Sequence, residues 1–76
     1  MQRKKFLQLL RQLRLDSGIT QKELAKRLGL PQSFVSKYES GERRLDILEL
    51  KAICSVLKIP FPEFARRLDE ALSETE

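Results

Sequence analysis

Gln32, Ser33, Ser36 and Lys37 are spaced i, i+1, i+4 and i+5, which sets them along one side of a helix, while Val35 and Tyr38 take the other. An amide, two hydroxyls and an ammonium in that order form a row of hydrogen-bond donors and acceptors. Two further cations, Arg43 and Arg44, follow within a few residues. Catalytic chemistry is poorly served. The 76 residues include no histidine and a single cysteine, Cys54, so a zinc site has almost no ligands and no imidazole base is present. There is no glycine-rich phosphate loop, and the carboxylates are scattered on helix faces or spent as caps. The chain is read as a binding protein and not an enzyme, with no cofactor, no metal and no small-molecule ligand expected.

Net charge is +4 and unevenly placed: residues 1–44 carry eleven Lys/Arg against four Asp/Glu, residues 45–76 four against seven. That polarity suits a basic face toward a polyanion and a separate acidic end. The length predicts one domain over residues 1–76. Its core must be small, because domains of this size bury only ~60% of their unfolded surface. Short helix connections or a partner subunit are the usual remedies. No apolar stretch approaches the ~18 residues of a membrane span. Gln8, Arg11 and Gln12 interrupt the apolar residues behind the basic start, so no secretory signal is read there. One cysteine allows no internal disulfide, and a cytoplasmic location is expected.

The elements that position the polar row are helices throughout. No stretch alternates in the manner of a strand, and the apolar residues recur at helical spacing. A first helix is expected over about residues 3–17, with Phe6, Leu7, Leu10, Leu13 and Arg14 on one side and Gly18 as its stop. Thr20 opens a second, where T-Q-K-E has capping-box register with Glu23. Leu24, Ala25 and Leu28 form its stripe and Gly29 ends it. Pro31 introduces a third over about 32–39, closed by Ser40-Gly41. The fourth starts at Asp46, again with Glu three residues on, and is expected to bury Ile47, Leu50, Ile53, Cys54 and Leu57. The fifth begins at Pro62 and carries Phe64, Ala65, Leu68 and Leu72. An all-α fold of five helices follows.

The second and third helices are joined by a turn too short for an antiparallel pair, so they must cross at a large angle. Ala25 is small where the backbones would approach, Gly29 tolerates positive φ in the turn, and Leu24, Leu28, Val35 and Tyr38 face inward. Together these are a strong helix-turn-helix signal. Residues 10–57 resemble the lambda-repressor-like (Cro-type, or Xre) helix-turn-helix family. The likeness is carried by Arg14, by G-I-T-Q-K-E-L-A-K-R-L-G-L from Gly18 to Leu30, and by Q-S-F-V-S-K-Y-E-S-G from Gln32 to Gly41.

The resemblance implies a compact five-helix DNA-binding domain and a sequence-specific transcriptional regulator, a repressor at a double-stranded operator. It puts Gln32, Ser33 and Lys37 at base-reading positions, with Ser36 on the same face. Gln can pair with adenine N6/N7, Lys can donate to guanine O6/N7, and Ser can do either. It implies phosphate contacts for Gln21, Ser40, Arg43 and Arg44, and an inward ion pair between Arg14 and Glu39 that positions the recognition helix. Two residues depart from the family pattern. Pro31 replaces the usual Ser or Thr cap, and Glu42 stands where a basic or neutral residue is common, which disfavours a phosphate contact there.

Some residues keep two readings. Phe34 either fills a gap against the second helix or lies over the sugar-phosphate backbone or a thymine methyl. Tyr38 is read as core, with a route for its hydroxyl toward a phosphate. Arg3-Lys4-Lys5 is read as a solvated end in preference to a minor-groove arm. The stripe Phe61, Phe64, Leu68, Leu72 is more than so small a core should hold, so part of it is expected to contact a second subunit in a homodimer. The rival reading of function is a protein-interaction module, such as an antitoxin or assembly adaptor, on the same fold.

Overall fold

Each helix ends where the backbone chemistry of its sequence tells it to. In the computed structural model, which describes residues 2–73, the elements are α1 (Gln2–Asp16), α2 (Gln21–Leu28), α3 (Gln32–Ser40), α4 (Ile47–Val56) and α5 (Phe61–Ser73). No strand occurs among the described residues. α2 stops at Gly29, whose φ of 74° is the left-handed conformation that a Cβ penalises. The amide of Leu30 then closes back on the Ala25 carbonyl at 3.0 Å. Gly41 ends α3 in the same conformation, with φ 90°.

The two expected capping boxes differ. Asp46 and Glu49 form theirs fully: the Glu49 amide donates to Asp46 Oδ1 at 2.7 Å and the Asp46 amide to Glu49 Oε1 at 3.0 Å. At α2 only half is made. Thr20 Oγ1 accepts from the Glu23 amide at 3.0 Å, but the Glu23 carboxylate turns to Arg27 Nε at 2.8 Å. An arginine one turn on, in i,i+4 register, competes for the carboxylate with a charge that a backbone amide lacks. Pro31 starts α3 with no side-chain cap, so the first-turn amides of that helix have no side-chain acceptor.

One core joins all five helices: Leu10 and Leu13 of α1, Leu24 and Ala25 of α2, Phe34, Val35 and Tyr38 of α3, Leu50, Ile53 and Cys54 of α4, then Leu57 and Phe64. α1 packs on α3 and α5, α2 on α3 and α4, and α4 on α5. Burial pushes the Cys54 thiol up to about 11, and the side chain is a small core hydrophobe. Two expectations are corrected. Ile47, placed in the core by its register with Leu50, is 63% exposed and its neighbour Leu48 74%. They occupy the first turn of α4, which runs past the edge of the packed layer. The Tyr38 side chain is fully buried, and its hydroxyl has no hydrogen-bond partner among the described residues. The ring is seated too deep for the oxygen to reach a ligand, and burial holds the phenol well above its ordinary pKa.

Candidate nucleic-acid interface

α3 is anchored by its apolar side and presents its polar one. Val35 and Tyr38 are buried against α1 and α2, while Gln32, Ser33 and Lys37 are exposed and Ser36 is half-buried. The structure therefore brings the four on to one outward face. The Ser36 hydroxyl donates to the Ser33 carbonyl at 3.3 Å and the Ser40 hydroxyl to the Lys37 carbonyl at 3.1 Å. Both are the local back-bonds that helical serines commonly make. Lys37 has no ion pair among the described residues.

The orientation of α3 is held from beneath by a charged cluster. Arg14 Nε lies 2.7 Å and Nη2 3.1 Å from the two carboxylate oxygens of Glu39, and Nη1 donates to the Ile19 carbonyl at 2.9 Å. Both side chains are under a tenth exposed. Gln21 joins the same cluster, its Nε2 donating to Glu39 Oε1 at 2.8 Å. The start of α2, the end of α1 and the last turn of α3 are thereby tied through one carboxylate. Gln21 is half-buried there, with the second hydrogen of its amide still to place.

The loop after α3 forms a second cluster. Arg43 makes a bidentate pair with Glu49, Nη1 to Oε1 at 2.9 Å and Nη2 to Oε2 at 2.8 Å. Its guanidinium carbon sits 4.7 Å from the centre of the Phe34 ring, a cation–π contact. Phe34 is itself buried and packs edge-on against Tyr38 with ring centroids 5.7 Å apart. Of the two readings of Phe34, the core one describes its surroundings here, with Arg43 as its lid. Arg43 is held the more firmly protonated by the Glu49 carboxylate. Arg44 is exposed and without an ion pair among the described residues. The Glu42 carboxylate accepts from Ser40 Oγ at 3.3 Å.

Two helices joined by the Gly29–Pro31 turn, the second clamped from below and polar outward, are the geometry of a helix-turn-helix reader. A helix-turn-helix family model matches residues 10–64, most of the chain. The chain belongs to the XRE-type, lambda-repressor-like helix-turn-helix family. It is 43% identical to the XRE-family like protein from Pseudomonas syringae pv. tomato str. DC3000, a solved structure with a TM-score of 0.86, over 99% of this chain and 88% of that one. No curated protein sequence matches. The family is one of DNA-binding regulators.

The match to this XRE-type domain runs seven residues past the Leu57 limit of the sequence resemblance. It reaches Phe64, which is 1% exposed and meets Phe6 edge-on at 6.3 Å and Phe61 at 6.4 Å. Phe64 therefore closes the core and is corrected as a subunit contact. Phe61 and Leu68 are half-buried against the same core, and Leu72 is half-buried further along α5. α5 touches α1 and α4 but neither α2 nor α3, so this stripe lies apart from the polar row. Sequence reasoning missed the role of Arg3, whose Nη2 donates to the Gly41 carbonyl at 2.9 Å across 38 positions. No local pattern announces such a contact.

Proposed function

We propose that this XRE-type domain binds double-stranded DNA sequence-specifically and regulates transcription as a repressor, with α3 in the major groove of its operator. One observation carries the reading: an exposed polar row on a helix whose other side is fixed by a buried ion pair. In this arrangement Gln32, Ser33, Ser36 and Lys37 address base edges, and each good bidentate pair discriminates by about 1–3 kcal/mol. Arg44 is the least encumbered cation for a phosphate. Gln21, Ser40 and Arg43 would join it by redirecting hydrogen bonds they already make to Glu39, Lys37 and Glu49.

A two-fold dimer would present its recognition helices roughly 34 Å apart, one turn of the duplex. Phe61, Leu68 and Leu72, each half-buried, are the residues of the α5 stripe proposed for that contact. Such a regulator works in the cytoplasm, on the nucleoid. The exposed Ile47 and Leu48 favour one other reading, an adaptor or antitoxin that grips a protein partner. Selection of bound duplexes from a random pool, with sedimentation of the protein free and bound, separates the two. The DNA reading predicts a symmetric consensus and two protomers per site. A pool that never enriches, beside a stoichiometric complex with a protein, contradicts it.

A further inference from the structure

Beside the polar row, α1 carries a run of cations with no ion pair among the described residues. Arg3, Lys4, Gln8 and Arg11 recur at helical spacing and form one wall of an open groove of about 460 Å³, whose other wall is Ser40 and Gly41 at the end of α3. Arg3 is pinned to that wall through the Gly41 carbonyl, and it also borders an adjoining depression with Arg43 and Arg44. The cations of α1 and those of the α3–α4 loop are therefore continuous. A Cβ at Gly41 would stand 3.7 Å from both Arg3 Nη1 and Leu7 Cδ1, an ordinary contact distance, so the glycine serves the left-handed backbone there and not the approach of α1.

Among the described residues no carboxylate forms an ion pair with this charge. Glu39 reaches the groove, but its two oxygens are taken by Arg14 and Gln21. Among the described residues no carboxylate pairs with Arg3, Lys4 or Arg11, whereas Arg27, Arg43, Arg66 and Arg67 all have acidic partners. Lys4 and Arg11 stand two turns apart, ~10.5 Å along α1. Such a strip fits an extended polyanion better than one small anion.

Building on the DNA reading, we infer that the α1 edge is a second phosphate site: Lys4 and Arg11, flanked by the anchored Arg3, take phosphates of the strand that passes the C-terminal end of α3. The contacts are to backbone alone, so they add affinity without sequence preference.

The test is the salt dependence of binding to the selected duplex and to an unrelated duplex of equal length, about three helical turns. Lys4→Gln with Arg11→Gln is compared with Lys51→Gln with Lys58→Asn, which removes the same charge from the α4 side. Asn is chosen because Lys58 has φ 61°, a conformation Asn tolerates. Each phosphate contact adds about 0.9 to the slope of log K against log salt. The α1 pair is expected to lower that slope by about two on both duplexes, and the α4 pair to leave it unchanged. An unchanged slope in the α1 pair, or an equal loss in the α4 pair, overturns the α1 site while the DNA reading stands. A wild-type protein that shifts neither duplex at any salt overturns both.

Discussion

Glu39 is the residue on which the orientation of α3 turns. A carboxylate this enclosed is tolerable only because Arg14 and Gln21 satisfy both oxygens. Removing Arg14 would leave the charge stranded beside one neutral amide. Arg14→Ala is therefore expected to cost about 3–5 kcal/mol of unfolding free energy, measured by urea titration. A loss below ~1 kcal/mol would place the pair among weak surface bridges instead. Lys in place of Arg14 would rescue little, since an ammonium cannot make the paired geometry. The charged pair was legible only through the family resemblance. Its third member was not, because a half-buried amide and an exposed one look alike in sequence.

At the scale of elements, helix type and order were legible almost throughout, since 3.6-residue periodicity, Gly stops and acidic caps all act locally. What escaped was decided by neighbours. Ile47 shares the register of Leu50 but not its cover, because periodicity does not say where the core layer ends. Glu23 had capping register and an i,i+4 arginine, and only the folded geometry shows which one took the carboxylate. α5 shows the same local electrostatics on a larger scale. Glu63 accepts from Arg66 and Arg67, and Arg66 also reaches Glu70 at 2.7 Å. Hydrogen bonds from Arg66 and then Arg67 draw the Glu63 carboxyl down from its ordinary 4.5 to about 2. A depressed acid stabilises the fold only while ionised, so its contribution is whole above pH 4.5 and is lost as pH falls toward 2. Thermal unfolding should thus show wild type above Glu63→Gln near neutrality, with the gap closing across that acid window. A gap unchanged down to pH 2 would mean that the α5 ion pairs do not act on stability.

Over the whole molecule, charge is sorted by whether it is answered. The arginines of α5 are paired with carboxylates of the same helix, and Arg43 with Glu49. The cations around the end of α3, namely Arg3, Lys4, Arg11, Lys37 and Arg44, have none among the described residues. The sequence showed the asymmetry between residues 1–44 and 45–76, but not this sorting, which depends on side chains distant in the chain. It also alters which arginine reports a phosphate contact most cleanly. Arg43 is tied to Glu49 and to the cap of α4, so its loss would mix folding with binding. Arg44 is free of that complication.

The proposed division of labour has α3 reading bases while its surroundings hold the DNA backbone. It is tested most directly by measuring binding of Gln32→Ala, Lys37→Ala and Arg44→Ala to the selected duplex and to its single-base variants. Gln32→Ala and Lys37→Ala are expected to erase preference at one or two positions each, about 1–3 kcal/mol of discrimination, with unfolding unchanged. Arg44→Ala should weaken every duplex alike and lower the salt slope by about one. If all three variants kept the full base preference and affinity of wild type, the DNA-reading face would lie elsewhere on the molecule.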